Sequence, residues 1–506
     1  MSTAMEVNTV TVAAATKVCD LRTALQLLEE TPRQLLRTDQ PVDPNAELAG
    51  VYRHVGAGCP VAPPTKVGPA MLFQNIKGYP GARIVTGVMA SRERCGLLLN
   101  TAPDRLGFKL LEAVDHPIKP VLSKATIPPC QEVCYTGDQV DILKILPAPT
   151  NTTEDAGPFF TMGLLRASDP VTGEHDITIH RLCVQSKDTI SVFFAPGRHI
   201  DAFRQKAEKM GKALPVSINI GLDPAVYIAA CFEPPTTPQG CDELAIAGGL
   251  RGHAIELAKG LTIDEYSIAH AEVVIEGEIL PDVRVREDQN SNTGHAMPEF
   301  PGYNGPANPS LCLIKVKAIT TRRNPILETI VGPGEEHVNL AGIPTEASIL
   351  HMVERAMPGR LKNCYAHTAG GGKFLAVLQF KKSIPSDEGR QRQAALIALS
   401  VYSELKHVIL VDDDVDIFDS NDVLWAMTTR YQGDISTIFI PGVIGHVLDP
   451  SQDSSFSRNI LQRGTSCKTI FDCTVPWPVK DRFVRAQFLD VDPAPFLIPS
   501  KKPLGL

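Results

Sequence analysis

No stretch of the 506-residue chain reaches the roughly 18 uninterrupted apolar residues of a membrane span, and the N-terminus lacks a charged region followed by a compact apolar core. A membrane partner is therefore not expected. The segment TVAAATKV has a single Lys17 where a transit sequence is Arg-rich, so it reads as a frayed N-terminal tail. No Lys/Arg-rich run is interleaved with aromatics, and the net charge of -8 repels phosphate backbones, which argues against nucleic acid as a partner. The 12 cysteines form no C-x-x-C knuckles. The nearest pairs, Cys130 with Cys134 and Cys467 with Cys473, do not make a thiolate zinc site and fit reduced thiols in the cytoplasm. No G-x-G-x-x-G follows a strand to hold a dinucleotide, and no internal repeat or low-complexity tract is present. What remains is a chain 43% hydrophobic and 21% charged, an ordinary globular balance. At roughly 150 residues per domain it is expected to fold as about three units.

The predicted elements divide accordingly into an α/β multidomain protein. Asp20 is placed to cap a helix with apolar Leu21, Ala24, Leu25 and Leu28 at helical spacing, Asp43-Pro44 to start another, and RIVTGVM reads as a buried strand. Proline-rich punctuation around Ile127 to Gln131 sets a first boundary near Cys130, giving an N-terminal α/β domain at 1–130. Residues 131–330 are strand-rich, with ITIHRLCV, TISVFF, AEVVIEGEI and LCLIKVKAIT, and one helix opened at Asp223-Pro224. Sheet or barrel is the natural reading. From 331 to 506 strands KFLAVLQF and HVILV alternate with helices QAALIALSVYSEL and VLWAMTTRY, an α/β layer with parallel strands.

Period two in ITIHRLCV puts Ile177, Ile179, Arg181 and Cys183 on one face. Arg181 is then either an edge residue reaching for water or a pocket arginine that grips a carboxylate in a bidentate pair. Glu299 lies between Pro298 and Pro301, close to Gly302 and Gly305. It is either a solvated loop residue or, if burial raises its pKa, a proton donor. His295, His337 in GPGEEHVN and His446 in PGVIGHVLDP lie in Gly/Pro loops, as polar surface or as acid, base and hydroxyl-binding candidates. HTAGGGKF is not a phosphate loop, because Phe374 follows Lys373 and the glycine spacing is wrong. DDDVDIFDSND is not a calcium loop, because Ile417 occupies the glycine position; it reads as a strand end and a helix cap.

Together these segments resemble the UbiD family of reversible decarboxylases, most closely its protocatechuate and gallate branch. The resemblance runs through DPNAELAGVYRHVGAG, DAGPFF, ITIHRLCVQ, GRHIDAFRQKAE, INIGLDPAVYIAACFEPPTTP, VRVREDQNSNTGHAMPEFPGY, VGPGEEHVNLAGIPTEASI, AHTAGGGKF and DDDVDIFDSNDVLWAMTTR. It implies an N-terminal α/β domain, a central split β-barrel related to flavin reductases, and a C-terminal α/β domain used in self-association, as a dimer or hexamer. It implies a prenylated FMN contacted by Asp176, Ile179, His180, Arg181, Arg198, His199 and Glu243. A divalent ion, Mn²⁺ or Mg²⁺, would join the flavin phosphate to Asp176, His199 and Glu243. A monovalent ion, K⁺ or Na⁺, would sit at the backbone oxygen of Arg430. Arg181 would orient the substrate carboxylate, Glu299 would donate the proton, and His337, Lys373 and His446 would engage ring hydroxyls.

Two departures stand out. Asp176 replaces the asparagine of many members, adding a negative charge beside a phosphate. The second carboxylate that the family places five positions before the proton donor is Gly294 here, leaving Glu287 or Asp288 for that role. The implied chemistry is non-oxidative loss of carbon dioxide from a small aromatic acid, protocatechuate or gallate. The modified flavin is the electron sink that no side chain supplies, and a flavin prenyltransferase would provide it. The alternatives are a related enzyme for another aromatic, heteroaromatic or cinnamic acid, a flavin-dependent oxidoreductase, and a silent assembly subunit.

Overall fold

The computed structural model describes residues 17–498 except 196, 234, 235, 239, 458, 459 and 461–463. Most of the TVAAATKV tail, residues 11–16, lies outside the described residues. The first helix, Leu21–Glu30, forms as its sequence dictates: the Asp20 carboxylate accepts from Thr23 N, and Leu21, Ala24, Leu25 and Leu28 are buried. Each buried leucine contributes roughly 1.5–3 kcal/mol of hydrophobic stabilisation. The next helix starts later than Asp43-Pro44 suggests, at Glu47–Val55. Asp43 instead accepts from Asn45 N in a local turn that competes with helix.

Four short strands, Leu35–Thr38, Ala70–Phe73, Arg83–Thr86 and Ile326–Glu328, make the N-terminal sheet. Its last strand returns from far along the chain to pair in parallel with Arg83–Thr86. The central sheet has nine strands, paired antiparallel throughout. Among the described residues its end strands, Phe159–Phe160 and His175–Ile179, do not pair with each other, so the sheet stays open. ITIHRLCV is not one strand: it divides into His175–Ile179 and Leu182–Ser186, leaving His180 and Arg181 at the break. The C-terminal sheet is parallel only at its centre, where Leu375–Phe380, His407–Val411 and Thr465–Asp472 run together; both edge strands are antiparallel. Asp419 caps the helix Ser420–Arg430 by accepting from Asn421 N.

The last strand of the N-terminal sheet and the first strand of the C-terminal sheet are joined by a 22-residue helix, Glu335–Ala356, capped by Gly334. It is buried on most sides and packs against helix Leu106–Asp115 and strand Leu361–Ala366. His337 is therefore in the first turn of a core helix and His295 opens a strand, rather than both lying in loops. Among the described residues no helix is long and apolar enough to cross a membrane.

Candidate active site

The break between His175–Ile179 and Leu182–Ser186 matters because an unpaired residue there can turn its side chain away from the ladder. Arg181 does so, and two carboxylates meet it. Its Nη2 donates to Glu287 Oε2 at 2.9 Å, while Nε lies 2.8 Å from Glu287 Oε1. Its Nη1 donates to Glu299 Oε1, and the guanidinium stacks 4.5 Å from the Phe193 ring centre. Glu287, whose side chain is wholly buried, follows the long strand Val273–Val285 and also accepts from Asn308 N at 2.9 Å. Asp288, the other upstream candidate, faces away: it pairs with Arg286 and accepts from Gly294 N.

Glu299 stands at the turn of a hairpin formed by His295–Pro298 and Asn304–Pro306. Gly305 makes room for it, since a Cβ there would lie 2.7 Å from Glu299 Cγ. Burial raises the Glu299 pKa; Arg181 opposes this and the charge of Glu287 adds to it. One guanidinium thus serves two acids, and the more accessible acid is the one disposed to keep a proton.

A cavity of about 230 Å³ opens at this point, with Ile179, His180, Arg181, Arg198, Glu299 and His337 in its walls. It continues into a second hollow of about 600 Å³ that shares Arg181, Arg198, Glu299, His337 and Lys373 and adds Glu404 and His446. His180 is pushed down to about 3 by burial, and His337 and His446 to about 4, so all three imidazoles are neutral near pH 7. The Phe300 ring is met edge-on by His337 and His446.

Lys373 reaches this cleft because the glycines before it allow close packing. A Cβ on Gly372, which has φ +73°, would lie 2.5 Å from Val338 O on the His337 helix. The GGGK segment is thus a helix-packing device. Lys373 Nζ donates to Tyr402 Oη at 2.8 Å and to Glu404 Oε2 at 2.7 Å, with Glu233 at 3.8 Å. Burial disfavours its charge, but Glu404, Tyr402 and Glu233 outweigh burial and hold its pKa above the ordinary value. Glu233 also takes Arg198 Nη2 at 2.6 Å. Glu404, Glu233 and Tyr402 were not legible as site residues; only Glu233, followed by two prolines in CFEPPTTP, carries a local sign of a rigid turn.

On the other side of Arg198 lies a hollow of about 30 Å³ lined by Asp176, His199 and Glu243. His199 and Glu243 are the first residues of helices His199–Lys209 and Glu243–Arg251, so two positive helix ends converge there, as a phosphate requires. His199 Nδ1 lies 3.2 Å from Asp176 Oδ1. Among the described residues buried Glu243 Oε2 has no hydrogen-bond partner, and burial together with Asp176 pushes its pKa up to about 9. An acceptor left bare in this way fits a cation ligand. Among the described residues no three donors are already gathered around one point. Arg430 is not brought to either cavity or to this hollow; its guanidinium is engaged by Asp412 and Asp414.

Models of the 3-octaprenyl-4-hydroxybenzoate carboxy-lyase N-terminal, Rift-related and C-terminal domains match residues 26–114, 122–335 and 338–473. The chain belongs to the UbiD family. Among its relatives, the gallate decarboxylase of Lactiplantibacillus plantarum is 50% identical over 476 residues, covering 93% of this chain and 97% of that one. The apo structure of the 3,4-dihydroxybenzoic acid decarboxylase of Enterobacter cloacae superposes with a TM-score of 0.92 at 62% identity, over 95% of this chain and 99% of that one. An evolved dimeric form of the UbiD-class enzyme HmfF from Pelotomaculum thermopropionicum, solved with prFMN, superposes with a TM-score of 0.80 at 32% identity, over 94% of this chain and all of that one. The chain is thus a UbiD-family carboxy-lyase.

Proposed function

We propose that this enzyme removes carbon dioxide from a hydroxylated benzoic acid, converting protocatechuate to catechol or gallate to pyrogallol, with prenylated FMN as cofactor. The observation that carries the reading is the single guanidinium of Arg181 held between buried Glu287 and protonatable Glu299. It lies in a cleft whose other end presents Lys373 and His446. The likeness to gallate and 3,4-dihydroxybenzoate decarboxylases supports the same substrate class. When bound, the flavin supplies the electrophilic electron sink that an aryl acid needs to lose carbon dioxide.

The chain's own residues do the rest. Glu287 fixes Arg181 through one hydrogen bond and a second close ionic contact, so the guanidinium edge toward Glu299 orients the substrate carboxylate. Glu299, whose hold on a proton is strengthened by burial and by Glu287, delivers its proton to the ring carbon that has lost the carboxyl group. Phe193 over Arg181, and Phe300 beside His337 and His446, exclude water from the ring. Ile179, His180 and Arg198 would border the flavin.

Asp176, His199 and Glu243 would hold Mn²⁺ or Mg²⁺ against the flavin phosphate; the bare Glu243 oxygen and the two helix ends support this set. A monovalent ion, K⁺ or Na⁺, at the Arg430 backbone oxygen rests on family resemblance alone. Cofactor supply by a flavin prenyltransferase follows from the need for a prenylated ring. Self-association is supported by exposed apolar Phe439, Phe488, Leu489 and Phe496. A cytoplasmic location is supported by twelve free thiols. The test is carbon dioxide release from a panel of benzoic and cinnamic acids by enzyme produced alongside a flavin prenyltransferase. Release from protocatechuate or gallate is expected; release only from non-hydroxylated acids contradicts the assignment.

A further inference from the structure

The Lys373 end of the cleft contains two acidic groups that the mechanism above does not use, Glu233, which is taken by Arg198, and Glu404. Glu404 sits in the turn after helix Arg390–Val401, and its carboxyl lines the larger cavity. Its Oε2 accepts from Lys373 Nζ at 2.7 Å and from Tyr402 Oη at 3.1 Å. Its Oε1 has no hydrogen-bond partner among the described residues. The nearby imidazole is fixed in orientation. Leu448 N donates to His446 Nδ1 at 3.0 Å, so the ring proton of the neutral form is on Nε2, which lies 3.6 Å from Glu404 Oε2. That gap is too long for a hydrogen bond and leaves the Nε2 proton available. Lys373 likewise has three donors and spends two, on Tyr402 and Glu404.

This end of the cleft thus offers two spare donors and one spare acceptor, which is the complement of a hydroxyl group. A hydroxyl both accepts and donates. An ether oxygen accepts only, and its methyl group would stand against a half-buried carboxylate. We propose that Glu404 determines specificity here: Oε1 accepts the proton of a ring hydroxyl whose oxygen is held by Lys373 and His446, so the cleft takes a phenol and refuses its methyl ether. The proposal rests on the decarboxylase reading above, and names the feature of the substrate that this end of the site requires. A site that hydrogen-bonds a substrate hydroxyl rejects analogues lacking one because its own polar groups are then left unpaired.

The same geometry gives Glu404 a second readout. Lys373 faces Glu404, Tyr402 and Glu233 directly, and Arg198, His337, His446 and the Cys231 thiol lie within electrostatic reach. Without the Glu404 charge, burial and Arg198 act on the ammonium with only Tyr402 and Glu233 opposing them, and its pKa falls. An alkaline limb from Lys373 should then enter the pH profile of kcat/KM.

The experiment uses enzyme loaded with prenylated FMN. Turnover is measured on 3,4-dihydroxybenzoate and on its two mono-O-methyl ethers, and catechol binding is measured by calorimetry. The wild type is expected to process at least one ether about 100-fold less efficiently than the dihydroxy acid. Glu404→Gln should raise the KM for the dihydroxy acid and the Kd of catechol by about tenfold, shrink the discrimination against that ether to under about tenfold, and introduce the alkaline limb. Glu404→Asp keeps the charge beside Lys373 but withdraws the acceptor; it should weaken catechol binding without adding the limb, and it decides the matter if the glutamine variant does not fold. Unchanged KM, Kd and discrimination in the folded variants would overturn the proposal. If the wild type releases carbon dioxide and those quantities ignore Glu404, this inference alone fails. If no hydroxybenzoate is decarboxylated while catechol binding still depends on Glu404, the decarboxylase reading fails instead.

Discussion

At the Arg181 end of the cleft two carboxylates compete for one guanidinium, whereas at the Lys373 end Glu404 is met by an ammonium with Arg198 and His446 close behind. Both Glu299 and Glu404 are half-buried, and loss of solvent pushes both pKa values up. At Glu299 burial prevails. At Glu404 Lys373 prevails and brings the pKa down to about 2. The same side chain in the same cleft therefore becomes a proton store at one end and a fixed anion at the other. The balance of neighbouring charges decides which.

Removing the store is expected to have the largest effect. Glu299→Gln preserves shape but has no transferable proton, and should lower decarboxylation by about 10²- to 10⁴-fold while flavin content stays at the wild-type level. Carbon dioxide release and the flavin spectrum measure the two. Arg181→Met attacks the shared cation: it leaves Glu287 buried and unpaired, and should cost about 3–5 kcal/mol of stability in denaturant unfolding. His199→Ala lies outside the comparison and tests the phosphate end, where flavin and manganese content of the purified protein should fall about tenfold or more.

Smaller effects sharpen the contrast. Glu287→Gln frees Arg181 for Glu299, so the Glu299 pKa should fall. The alkaline decline of kcat/KM should then move to lower pH, by about tenfold in rate for each unit moved. Glu404 has a depressed folded pKa, so its contribution to stability is present above the unfolded value of 4.5 and is lost as pH falls toward about 2. The stability difference between wild type and Glu404→Gln should therefore shrink over that window when urea unfolding is followed against pH.

Much of this was legible in the sequence. The Asp20 helix, the Asp419 cap and the strand-rich middle follow from local patterns that tertiary structure leaves intact. Arg181 was readable as a candidate but with the wrong local structure: alternation in ITIHRLCV predicts one strand, and only the finished sheet shows the break that frees the arginine. His337 was readable as a candidate but in the wrong local structure, because GPGEEH suggests a loop, while the helix it opens is buried on most sides and lacks the polar stripe of an amphipathic helix. Glu287 and Glu404 carry no periodic signal. Their roles come from partners 106 and 31 residues away in the chain, a pairing that only the fold creates.

The central claim is that Glu299 holds and delivers the proton that replaces the carboxyl group. The most direct measurement is deuterium exchange into catechol in D₂O by the flavin-loaded enzyme, read by NMR at the ring carbon that bears the carboxyl group in protocatechuate. The wild type should exchange that hydrogen and Glu299→Gln should not, with catechol still bound by both. Exchange at the wild-type rate in the glutamine variant would contradict the account.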